Sequence, residues 1–108
     1  MVFISIDDFY KKADLCTVLT RQEEIECAKK MQNGDKDARE KLLQSYIPMV
    51  KKHIEFAKPH MQDLSLVMYC MAALERSVDS FNFLQDSEPF SHHLSWALRQ
   101  AKVNYIVK

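Results

Sequence analysis

Side chains able to do chemistry gather in FSHHLSWALRQA, residues 90–101, where aromatic, basic and amide groups alternate with aliphatic ones. In a helix, Phe90, Leu94, Ala97, Leu98 and Ala101 form the inward face and His93, Trp96, Gln100 and Val103 the opposite one. An indole beside the guanidinium of Arg99 and the carboxamide of Gln100 has two uses. It can pack against the N-terminal helices as core, or it can stack on an unpaired base while the cation meets a phosphate. The neighbouring imidazoles of His92 and His93 make a poor metal pair, because successive side chains on a helix diverge and no third ligand lies nearby in sequence. Surface, capping and DNA-contact roles remain for them.

A second group is the apolar run Met68-Tyr69-Cys70-Met71, followed by Arg76. Four consecutive helical residues cannot all face one way, so core packing and an exposed protein-binding surface both stay open. Arg76 reads as solvated rather than ion-paired. Cys16, Cys27 and Cys70 are odd in number and lack metal-ligand spacing, which suits small buried hydrophobes in a reducing compartment better than a disulfide framework. No glycine-rich phosphate loop, Gly-x-Ser-x-Gly, HExxH or convincing carboxylate pair occurs. The sequence therefore points away from an enzyme and implies neither a cofactor nor a metal.

The 108 residues suit one domain with an ordinary core. A single glycine and three prolines are too few for the turns of an all-β fold, so helices joined by short connections are expected. Formal charge is zero but uneven. Residues 1–88 hold 12 Lys and Arg against 15 Asp and Glu, whereas 89–108 hold Arg99, Lys102 and Lys108 with no acid. That end alone can attract a polyanion weakly. MVFISI is too short for a signal peptide and runs straight into Asp7 and Asp8, and no apolar run approaches a membrane span. A cytoplasmic protein without membrane contact is expected.

The elements that must position these groups follow from periodicity and caps. Residues 7–14 read as a short helix packed through Phe9 and Tyr10. Thr20, with Glu23 three residues on, forms a capping box opening a helix with Ile25, Ala28 and Met31 inward, which stops at Asn33-Gly34. Asp35 caps a long helix striped by Ala38, Leu42, Tyr46, Val50, Ile54 and Ala57 and widened by Leu43 and Ile47. Pro48 inside it predicts a kink near Gln44–Ser45 or a split, and Lys58-Pro59-His60 its end. A fourth helix over 63–80 buries Val67, Met71, Leu74, Val78 and Phe81; 82–89 is a loop, and the last helix starts near Ser91. The fold class is all-α, a compact bundle of four to six helices, with 1–19 as an N-terminal helical segment and 20–108 as the body of a single domain.

Three blocks, in this order, resemble bacterial sigma-70 family initiation factors over regions 1.2 to 2.4. LTRQEEIECAKKMQNGDKDAREKLLQSYIPMV carries Leu19, Thr20, Glu23, Glu24, Ala28, Gly34, Asp35, Ala38, Arg39, Leu42, Pro48 and Val50 in the register of regions 1.2 and 2.1. SLVMYCMAALERSVDSFN is similar to region 2.2 through Leu66, Leu74, Arg76, Val78 and Phe81, and FSHHLSWALRQA to regions 2.3 and 2.4 through Phe90, Ser91, Trp96, Arg99, Gln100 and Ala101. The resemblance implies the helical bundle of the sigma region 2 domain. It also implies docking on the clamp helices of the largest RNA polymerase subunit and capture of the −10 promoter DNA by the aromatic face of the last helix. Position by position, it makes Phe90, His93, Trp96, Arg99 and Gln100 the candidate DNA-binding residues. Met68, Tyr69 and Arg76 become the candidates for the RNA polymerase core or a replacement protein partner.

Several positions depart from the family pattern. Met68-Tyr69 stand where it has a polar Gln-Glu pair, Ser65 where it has Asp, and Cys70 and Ala73 where it has glycines. His93 replaces the melting tyrosine, Ala97 the second tryptophan, and Lys102 an apolar residue. An apolar docking face and a single aromatic wedge support a second reading: a sigma-like protein-interaction module, partner or regulator of a sigma factor or polymerase, without DNA melting. A helix-turn-helix duplex binder is a third, disfavoured by the 82–89 loop and the lack of a basic recognition helix. No segment resembles the −35-reading region 4, so the expectation is a fragment, one half of a split factor, or a domesticated relative. Promoter specificity and oligomeric state do not follow from the sequence.

Overall fold

Backbone donors left over at the helix starts explain most of the boundaries in the computed structural model, which describes residues 2–84 and 88–107. Ser5 Oγ accepts from the Asp8 amide at 3.0 Å and starts α1, Ile6–Asp14. Thr20 and Glu23 satisfy one another's backbone amides, at 3.2 and 3.0 Å, at the head of α2, Arg21–Gln32. Asp35 accepts from Asp37 and Ala38 ahead of α3, Lys36–Glu55, and Asp63 from Leu66 ahead of α4, Leu64–Ser80. The last helix, α5, Phe90–Val107, follows Pro89. Gly34 closes the α2–α3 turn at φ 89°, a left-handed value that glycine reaches without strain.

The predicted all-α bundle forms: five α-helices, a 3-10 turn over Pro59–Met61, and no strand among the described residues. Helix α3 is the hub and touches each of the other four. Helices α4 and α5 run antiparallel, because Phe81 at the end of α4 meets Phe90 at the start of α5 (ring centroids 5.1 Å apart), while Tyr105 near the far end donates to Asp63 at 2.7 Å. Phe9, Leu42, Ile47, Val50, Ile54, Leu66, Leu74, Val78, Leu94 and Leu98 fill the space between the helices. A bidentate pair from Arg39 to Asp79, at 2.7 and 2.9 Å, ties α3 to α4 on the surface. Among the described residues no helix is long and apolar enough to cross a membrane.

Pro48 does not split its helix. The lost donor costs up to about 3 kcal/mol, whereas Leu42, Leu43, Ile47, Val50 and Ile54, all buried on either side of it, each contribute about 1.5–3 kcal/mol. Packing therefore wins, and the helix continues through the proline. It stops instead at Glu55, short of the Lys58-Pro59-His60 signal, and Lys58 takes the extended ψ of 142° that a following proline imposes. On α2 the inward residues are Glu24, Cys27 and Ala28, while Ile25 and Met31 are only half-buried. Of the predicted loop 82–89, positions 85–87 lie outside the described residues, as does Lys108; within it, Phe83 is a core residue. The N-terminal hydrophobic stretch is anchored by Phe3, whose ring meets Phe9 edge-on at 5.0 Å.

Candidate nucleic-acid and partner-binding faces

Periodicity aims the two sides of α5. Phe90, Leu94, Leu98 and Ala101 are buried, and the opposite side exposes His93, Trp96, Arg99, Gln100 and Val103. Trp96 is 64% exposed, so the core-packing alternative for its indole does not hold. The Arg99 guanidinium lies over that ring, 5.2 Å from its centroid. Gln100 Nε2 donates to Asn104 Oδ1 at 3.2 Å, one turn on. A flat π-surface, a cation and an amide thus share one solvent-facing strip.

Phe90 is different. Only 1% of it is exposed, and its ring is boxed by Tyr46 (4.6 Å), Phe83 (4.9 Å) and Phe81 (5.1 Å). Expected as a DNA contact, it is almost wholly enclosed and instead fixes the start of α5 on the bundle. His93 leans on the same cluster, 5.2 Å from the Phe81 ring, but stays exposed. His92 lies toward Glu88, with Nδ1 3.8 Å from the carboxylate.

Behind α5 two groups escaped the sequence reading. His53 on α3 has a buried Nε2 without a hydrogen-bond partner. Burial, followed by the nearby Lys102 cation, lowers its pKa below the usual 6.5 and favours the neutral ring. Its spacing, three residues after Val50 and four before Ala57, was the only available sign. Glu24 is the other: a carboxylate turned inward, accepting from the Tyr46 hydroxyl at 2.7 Å with Arg21 3.6 Å away. Burial first and the Glu24 bond second push the Tyr46 phenol well above its ordinary value of 10. Arg21, Glu24, Tyr46, Glu88, Pro89 and Phe90 line a small open pocket of about 240 Å³ between α2, α3 and the head of α5.

The residues singled out on α4 do not share one face. Met68 is 58% exposed and lines an apolar groove of about 250 Å³ with Val2, Phe3, Leu43, Ile47, Met71 and Ala72, edged by Glu40 and Glu75. Tyr69, about 100° further round the helix, is half-buried and meets the Tyr105 ring edge-on at 6.1 Å. Arg76 is exposed and lies outside the groove. Cys27 and Cys70 are buried and Cys16 half-buried, all three as free thiols.

Comparison with known proteins gives two findings. Residues 17–37, from the approach to α2 through the Gly34 turn into α3, match the family described as Sigma-70 factor, region 1.2. Over 106 residues the chain is 31% identical to the RNA polymerase sigma factor SigA of Clostridium acetobutylicum. That match covers 91% of this chain and 27% of the relative, so the chain spans about a quarter of that protein's length. No solved structure matches.

Proposed function

We propose that this chain is a sigma-70-type region 2 domain that takes part in transcription initiation, capturing single-stranded −10-type promoter DNA on the outer face of α5. The observation that carries the reading is the Trp96–Arg99 pair, solvent-facing on a helix whose other side is fully packed. The similarity to SigA and to sigma region 1.2 supports the assignment to this class of factor. In a melted promoter the non-template bases are unstacked. A base placed on Trp96 gains about 1–3 kcal/mol, while Arg99 meets the adjoining phosphate and Gln100 or His93 reaches a base edge. Extruding the base costs a few kcal/mol, so a single indole serves capture of an already open strand better than opening a closed one. No bond is made or broken, and no cofactor is called for. The site of action is the cytoplasm.

Core polymerase docking belongs on α4, at the groove holding Met68. Its exposed methionine and apolar floor also favour the second reading, a protein-interaction module, where the groove takes a partner other than the clamp helices. Fluorescence anisotropy of a labelled single-stranded non-template −10 oligonucleotide separates the two. Sequence-dependent binding that Trp96→Ala weakens by about 1–3 kcal/mol is the expected result, and absence of binding at low salt overturns promoter capture. A pull-down on immobilised polymerase clamp helices, lost on Met68→Glu, tests docking independently.

A further inference from the structure

On the side of the bundle where α3 ends, an open depression of about 660 Å³ has no part in either face described above. Its floor is aliphatic, formed by Ala57, Met61 and Ile106, and the Phe56 ring stands at its edge. Phe56 is 78% exposed and Ile106 61%, unusual for large apolar side chains brought together from two helices. Lys58, His60, Lys102 and Tyr105 complete the lining, which contains no carboxylate. Neither lysine is paired to an acid among the described residues, and the carboxylate of Asp63, the cap ahead of α4, is engaged by Tyr105 and by the Leu66 amide.

We propose that this depression is a docking site for an acidic amphipathic helix of a protein partner. An aliphatic hollow accepts a leucine-like knob, and a rim of cations selects acidic neighbours on the partner's flanks, the geometry of helix-in-groove recognition. Nucleic acid fits it less well, because bases need free, flat aromatic platforms: Phe56 stands in solvent, whereas the Tyr105 ring is half-buried, set edge-on to Tyr69 and tied by its hydroxyl to Asp63. The site extends the molecule's interactions beyond DNA capture and does not depend on it: a factor can hold DNA on the Trp96 strip and a partner protein at Phe56 together.

The test uses the full chain and a fluorescein-labelled designed helical peptide with leucines on one face and glutamates elsewhere. Controls are the same peptide with lysine for glutamate, a scrambled version without an apolar face, and the −10 oligonucleotide. Saturable, salt-sensitive binding of the acidic peptide is expected. Phe56→Ser and Lys102→Glu should each weaken it by on the order of tenfold, while Trp96→Ala leaves it unchanged. Both substituted side chains reach solvent, and far-UV circular dichroism verifies that the variants stay helical. Failure of the acidic peptide to bind, or equal binding of the lysine or scrambled peptide, overturns the proposal. So does loss of oligonucleotide rather than peptide binding in Phe56→Ser, which reassigns the hollow to nucleic acid. Loss of oligonucleotide binding in Trp96→Ala alone bears only on promoter capture.

Discussion

The hydroxyl of Tyr46 on α3 donates to Glu24 of α2 at 2.7 Å, and the same ring meets Phe90 of α5 edge-on at 4.6 Å. One side chain therefore joins the segment matched by sigma region 1.2 to the helix that carries Trp96. Tyr46→Phe keeps the ring contact but leaves the inward carboxylate of Glu24 with only Arg21 at 3.6 Å. A hydrogen bond to a charged group contributes about 1.5–3 kcal/mol. The variant should lose stability in that range, read as a lower urea midpoint at unchanged slope. If the midpoint is unchanged, the bond contributes nothing to folding.

The same pair contributes to alkaline sensitivity. Because the folded pKa of Tyr46 is raised, its contribution is fully present below the unfolded value of 10 and is lost as pH rises above it. Thermal melts from pH 8 to 11 should show a stability drop above about pH 10 in the parent that is shallower in Tyr46→Phe. Identical alkaline profiles would remove Tyr46 as its source.

His53 acts on the other side of neutrality. Its pKa is lowered, chiefly by burial and then by Lys102, so the unfolded chain takes up this proton first as pH falls below 6.5. Stability should decline on the acid side of that value, and His53→Leu should flatten the decline while satisfying the orphaned Nε2 position with carbon. The measurement is the melting temperature at pH 5 and pH 7.5 in both proteins. An equal acid loss in His53→Leu would assign the effect elsewhere.

What could be read from the chain was what depends on near neighbours. Thr20 and Asp35 bond backbone amides two or three residues away, and the outward aim of Trp96 follows from the helical repeat of Leu94 and Leu98. The inward turn of Glu24 was hidden because its partner, Tyr46, lies on another helix. Phe83 was hidden because a loop carries no period, and only Phe81 and Phe90 explain its burial. The hollow beside Phe56 lies where α3 ends at Glu55, about one turn before Pro59, with Phe56 just past the helix end and exposed. The split that Pro48 allowed is absent for the opposite reason, a local signal overridden by packing on both sides.

Gly34 offers a local check on that reasoning. Its φ of 89° is left-handed, and a Cβ there would meet nothing within 4 Å, so a substitution is charged for backbone strain alone. Gly34→Ala should cost about 1–2 kcal/mol and Gly34→Asn less, since asparagine tolerates this region. Equal cost for the two would show that the turn relaxes out of the left-handed conformation.

Stacking and charge on α5 separate by their salt dependence. If Arg99 neutralises one phosphate of the captured strand, Arg99→Gln should reduce the slope of log K against log salt by about 0.7, the single-strand value for one released counterion. Trp96→Ala should leave the slope unchanged but lower affinity by about 1–3 kcal/mol at every salt concentration. The two are not independent, because the guanidinium sits 5.2 Å over the indole in the free protein. A base arriving on that face must displace the cation–π contact, worth about 0.5–1 kcal/mol at an exposed site. Arg99→Gln therefore loses a phosphate contact but uncovers the ring, and at high salt, where the phosphate term fades, its affinity should approach or exceed that of the parent. An Arg99→Gln curve parallel to the parent at all salt concentrations would mean that Arg99 does not reach the phosphate and serves the indole alone.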